Sequence, residues 1–136
     1  MIDNFFNKFK LKNMGSVIPI NSSRIFTQDD AEELLPVVKR LAERAATTVT
    51  DLQEQLRWTP QEEPLYKRLS NKIESTVKIW ATKISRLGCE PRGIWLVDFD
   101  AGEGWFSWRF GDDGLNFFHS HKFSIDRALF SEELPT

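Results

Sequence analysis

Cysteine, tyrosine and histidine are nearly missing from this chain, which has one Cys, one Tyr and two His in 136 residues. The lone thiol, Cys89, excludes an intramolecular disulfide, and no Cys/His spacing reads as a zinc site. A reducing cytoplasm is the compartment this composition fits. Long apolar runs are also missing, so no transmembrane span is expected. The opening "MIDNFFNKFKLKNM" has neither the apolar h-region nor the small-residue cleavage site of a signal peptide. Net charge is small as well: 18 Lys and Arg against 20 Asp and Glu leave −2, so no global field attracts nucleic acid or an anionic membrane. Glycine-rich phosphate loops and a nucleophile elbow are absent, and no cofactor is expected.

What is present is a core. Hydrophobic residues make up 40% of the chain and aromatic residues 12%, enough for one domain of ordinary size. Residues 1–23 form an accessory tail. Within it Ile2, Phe5, Phe6 and Phe9 recur at i, i+3, i+4 and i+7, the pattern of a short amphipathic helix. Its length and its few lysines do not support stable membrane association. Residues 24–136 form the domain, with a helical hairpin over 27–88, a β-meander over 93–121 and a C-terminal segment over 122–136.

In the first helix Ala31, Leu35, Val38, Ala42, Ala45, Val49, Leu52 and Leu56 recur at alternating steps of four and three, a heptad seam. Thr27 is placed as N-cap with Asp30 three residues on, and acids crowd the first turn. Pro36 removes one helical hydrogen bond and predicts a kink. After "WTPQEEP" a second apolar face runs through Leu65, Leu69, Ile73, Val77, Trp80, Ile84 and Leu87, with Gly88 as its stop. The second helix begins either at the Thr59–Pro60–Glu62 capping pattern or near Pro64. Opposite charge on the two helices, seven acids and four bases against six bases and one acid, supports an antiparallel pair. The basic second helix lacks an interleaved aromatic platform and a recognition motif, so it reads as a solvated flank and no nucleic-acid partner is expected.

Past "CEPRG" the period changes to two. Ile94–Asp100, Trp105–Phe110 and Leu115–His121 read as three antiparallel strands closed by glycine-containing turns. The fold class is therefore α+β: a long antiparallel helical hairpin followed by a three-stranded antiparallel meander. Turns centred on the glycines put Asp98 opposite Phe106 and Phe106 opposite His119, so Asp98 and His119 share a face.

The stretches "RIFTQDDAEELLPVVKRL" and "GCEPRGIWLVDFD", followed by Trp108, Arg109, Gly111, Phe118 and His119 in order, resemble the DUF2203 family of small bacterial proteins of unknown function. The resemblance spans Arg24 to Leu129. The family pattern of phenylalanine–threonine, leucine–leucine–proline, a glycine–cysteine or glycine–valine step, "GLVDFP", an aromatic–tryptophan–basic–x–glycine strand, tryptophan–histidine and a late arginine falls on Phe26, Thr27, Leu34, Leu35, Pro36, Gly88, Leu96, Val97, Asp98, Phe99, Trp108, Arg109, Gly111, His119 and Arg127. Asp100 replaces the family's proline and Phe118 its tryptophan; His121 has no counterpart. The resemblance singles out Asp98, Arg109, His119 and Arg127 as a shared polar cluster and implies no particular activity.

Three readings of the chain follow. His119 and His121 point the same way on a strand, but Asp98 lies about 9 to 10 Å off across two strand spacings, so no metal site is expected. An enzyme using Asp98, Arg109 and His119 on a small molecule or metal is the alternative reading, with its ligand unspecified. The preferred role of the cluster is structural, because buried polar groups require partners. The third reading is an interaction module. A 30-residue helix of about 45 Å outruns a seven-residue strand of about 23 Å. Its distal seam, Ala45, Val49, Leu52 and Leu56, is thus the expected contact of a homodimer formed through the hairpin.

Overall fold

The computed structural model describes residues 24–119. The expectations for the tail 1–23, for His121, for Arg127 and for the segment 122–136 lie outside the described residues.

Helix α1 (Gln28–Arg57) starts where the sequence places it. The Thr27 side chain accepts from the Asp30 amide at 3.1 Å, and the Asp30 carboxylate accepts from the Thr27 amide at 3.4 Å, a reciprocal capping box. The helix continues through Pro36 to Arg57. Its buried stripe is Ala31, Leu35, Val38, Ala42, Val49, Leu52 and Leu56. Helix α2 (Pro64–Arg86) begins with Pro64 in its first turn, the position where a missing N–H costs nothing. It ends in a Schellman motif. Gly88 adopts φ +92°, and the Gly88 and Cys89 amides donate to the Ser85 and Ile84 carbonyls at 2.9 and 3.3 Å.

The two helices pack by apolar burial. Val38 and Ala42 on α1 and Ile73, Val77 and Ile84 on α2 are at most 1% exposed, and each such aliphatic side chain larger than alanine contributes about 1.5 to 3 kcal/mol. The opposite charges of the two helices do not meet as direct pairs in this contact. Among the described residues the ion pairs are Glu54–Arg57, Arg92–Glu90 and Arg92–Asp98, and none joins α1 to α2. The bases of α2 are exposed, so the expected charge complementarity takes no form of direct ion pairing between the helices.

The sheet has four antiparallel strands in the order of the chain, β1 (Glu90–Gly93), β2 (Leu96–Asp100), β3 (Trp105–Arg109) and β4 (Asn116–Phe118). The extra strand is "EPRG". Pro91 is compatible with it because β1 is an edge, where one side of the backbone needs no partner. Val97, Phe99 and Trp108 join the helical core from one sheet face, and Phe26 caps it with an edge-on contact to Phe99 at 5.2 Å. The opposite face buries Leu96, Asp98, Trp105 and Ser107.

Register differs from the sequence expectation. Asp98 pairs with Ser107 and Phe99 with Phe106, and Phe106 pairs with Phe117. The β2–β3 ladder is offset by one residue, which exchanges faces between neighbouring strands. The turn glycines explain part of the difference. Gly102 and Gly111 have positive φ, but Gly104 does not; it is glycine because a Cβ there would collide with the Phe118 carbonyl oxygen and come within 2.8 Å of the His119 carbonyl carbon.

Candidate functional site

Asp98 is the only charged residue among the fully buried side chains described, at 0% exposure in the middle of β2. Two neighbouring strands supply its partners. From β3, the Ser107 hydroxyl donates to Oδ1 at 2.5 Å, because Ser107 is its direct cross-strand neighbour. From β1, the Arg92 guanidinium donates through Nε to Oδ2 at 3.0 Å. Arg92 reaches that position through a β-bulge. Pro91 pairs with Val97 and Gly93 with Leu96, so Arg92 is the extra residue, and the bulge turns its side chain toward Asp98. A second amino group of Arg92 meets Glu90 at 3.1 Å, and the guanidinium lies 4.8 Å from the Trp105 ring centroid.

Of the residues picked out by sequence, Asp98 and Arg109 lie on the same sheet face. Arg109 pairs with Leu96, one strand over and two residues along, and its backbone amide donates to Asp112 at 3.1 Å. His119 does not join them. Phe117 pairs with Phe106, so residues 117 and 119 project from the face opposite Asp98; His119 is exposed, with its ring 5.9 Å from that of Phe117. The expected Asp98–Phe106–His119 row is dissolved by the one-residue offset, which sends the acid and the imidazole to opposite sides. Arg127 lies outside the described residues.

Sequence reasoning missed Arg92, Ser107 and Glu90. Pro91 and Gly93 made β1 read as a loop, and Ser107 appeared only as a small residue between rings. The available signal was stoichiometric: a buried carboxylate flanked by Val97 and Phe99 requires a cation nearby in the sheet, and Arg92 is the nearest in sequence.

Chemically, the arrangement is a set of charge-assisted hydrogen bonds joining three strands. Ser107 is 5% exposed, and His119 is on the wrong face to act as its base, so no Ser–His–Asp relay is assembled among the described residues. Among the described residues no three His, Cys, Asp or Glu side chains gather as metal ligands. The remaining thiol, Cys89, is 3% exposed, and burial pushes its pKa up to about 12 despite the opposing charge of Arg24, so it is no nucleophile at neutral pH.

Two open concave surfaces among the described residues lie elsewhere, on the hairpin. One groove of about 560 Å³ at the loop end is lined by residues including Gln53, Leu56, Thr59 and Tyr66. Beside it Trp58 is 75% exposed, its indole N–H donating to Glu54 at 3.0 Å. The expected interface residues Val49, Leu52 and Leu56 are 3%, 8% and 8% exposed within the single chain, and Ala45 is half-buried. The seam is thus occupied by α2. No helix among the described residues is long and apolar enough to cross a membrane.

Neither the curated proteins nor the solved structures contain a match to this chain. A family model does match, that of the uncharacterized conserved protein DUF2203, over residues 24–126, which takes in the capped first helix, the hairpin and all four strands with the Arg92–Asp98–Ser107 cluster. The chain belongs to the DUF2203 family.

Proposed function

We propose that this protein is a binding module that self-associates through the loop end of its helical hairpin, with the sheet as a closed support. The observation that carries the reading is Trp58. An indole left 75% in water, yet held by a hydrogen bond to Glu54, which also pairs with Arg57, is an aromatic anchor with little conformational freedom left to lose. The adjoining groove has room for such a ring. Knob and groove on one surface suit a two-fold contact, in which each copy inserts its Trp58 beside the other's Tyr66. Glu54 and Arg57 present both signs of charge there, so paired tips need not repel.

Charging Val49 or Leu52 would unfold the hairpin rather than divide a dimer, because both are interior. The test is light scattering and sedimentation of the full chain with Trp58→Ala beside it. The wild type is expected to be dimeric at micromolar concentration, and the variant monomeric with an unchanged unfolding midpoint. A monomeric wild type, or a dimer that survives Trp58→Ala, overturns the reading. A catalyst built on Asp98, Arg109 and His119, the other possibility raised by the sequence, has no common face to work on.

A further inference from the structure

Helix α2 carries an exposed basic stripe. Arg68, Lys72, Lys83 and Arg86 fall within about 60° of Ile79 around the helix at 100° per residue, and all five are exposed, Ile79 by 56%. Arg68 and Arg86 are five turns apart, so the stripe is about 27 Å long. Among the described residues none of its four bases forms an ion pair. Lys83 and Arg86 complement the dipole at the C-terminal end of α2, but Arg68 and its neighbour Lys67 stand near the N-terminal end, where the dipole disfavours them and the first turn has no acid. Helix stability does not account for them.

Next to Ile79 runs a groove of about 230 Å³ floored by Leu41, Ala45 and Trp80, with Arg44 on its far rim. The surface thus combines an apolar centre with a basic border on both sides. A second copy does not fit it, since a two-fold contact at Ile79 would set Lys72 and Arg68 against the other chain's Lys83 and Arg86. Nucleic acid fits it poorly: the chain is net negative, and the groove's ring, Trp80, is only 2% exposed and so offers no face for stacking.

We infer that this face docks an acidic amphipathic segment of another protein, with an aliphatic side chain seated beside Ile79 and carboxylates along the basic border. The site is separate from Trp58, so it does not depend on self-association. The probe is a 20-residue fluorescein-labelled helical peptide with leucines at i, i+4 and i+7 flanked by glutamates. Its controls are the same peptide with glutamine for glutamate, and a 20-base-pair DNA duplex.

Fluorescence anisotropy on the full chain should show saturable binding that weakens at least tenfold between 50 and 300 mM salt. Ile79→Asp and the double variant Lys72→Glu/Lys83→Glu, checked for native circular dichroism, should each weaken it at least tenfold, and Trp58→Ala should not change it. Equal binding of the glutamine peptide, no effect of either stripe variant, absence of saturable binding, or tighter binding of the duplex would overturn the inference.

Discussion

Replacing Asp98 tests whether the sheet cluster is a structural pin or a poised site. The carboxylate is 0% exposed and accepts from Ser107 on one oxygen and from Arg92 on the other. Asp98→Ala removes both acceptors at once. It strands the buried Ser107 hydroxyl and leaves Arg92, whose side chain is 20% exposed, with Glu90 as its acidic neighbour. Breaking one side of a buried pair costs about 3 to 5 kcal/mol, a large share of the 5 to 15 kcal/mol typical of a domain. Asp98→Asn keeps the volume and one acceptor, so it should cost less, about 1 to 3 kcal/mol. Denaturant unfolding of both variants, with Arg92→Gln and the Arg92→Gln/Asp98→Asn double variant, closes a thermodynamic cycle. A pin predicts coupling above about 1 kcal/mol between positions 92 and 98. Midpoints for Asp98→Ala within error of the wild type, or higher, would refute it, because residues kept for activity are commonly released at a gain in stability.

Two further results are expected. Gly104→Ala should destabilise severely or prevent folding, since its Cβ meets the backbone of Phe118 and His119 rather than a movable side chain, whereas Gly111→Ala, with no atom within 4 Å, should incur only the cost of its positive φ; calorimetric melting temperatures compare them. Cys89 should resist an aromatic disulfide reagent at pH 8 until the chain is unfolded. Because its folded pKa is raised to about 12, above the unfolded value of 9.0, its contribution to stability is full below pH 9 and is lost as pH rises from there toward 12; a Cys89→Ala variant should show a shallower alkaline loss.

The helices were legible because their signals are local. Thr27 and Asp30 sit three residues apart whatever the rest of the chain does, and the spacing from Ala31 to Leu56 is set by helical geometry alone. The sheet was legible in kind but not in register. Alternation marks a strand without saying which residue faces which, and that pairing depends on turns whose glycines serve different purposes, positive φ at Gly102 and Gly111 and close approach at Gly104. Strand β1 was hidden because Pro91 and Gly93 are turn formers that an edge strand tolerates. Trp58 looked like the end of a helix. Only its exposure, a property of the folded hairpin, distinguishes it from the buried Trp80 and Trp108.

The aromatic run from Trp105 to Phe118 explains why a charge belongs in the sheet. Rings project to both faces: Phe106, Trp108 and Phe117 share one, and Trp105 and Phe118 the other. With strands of only three to five residues and apolar side chains on either side, burial alone barely distinguishes the native register from one slipped by a residue. Asp98 removes that degeneracy. In the native pairing it meets Ser107 across the ladder and Arg92 at the bulge. If β2 slipped by one residue and turned over, the carboxylate would enter the face now lined by Val97, Phe99 and Trp108 against the helices, away from Arg92 and Ser107 and among apolar side chains. The cost of an unpaired buried charge exceeds what any exchange of aromatic partners returns. A buried acid that adds little net stability thereby selects one register among near-equals, and its partners sit on the two strands whose alignment with β2 it has to fix.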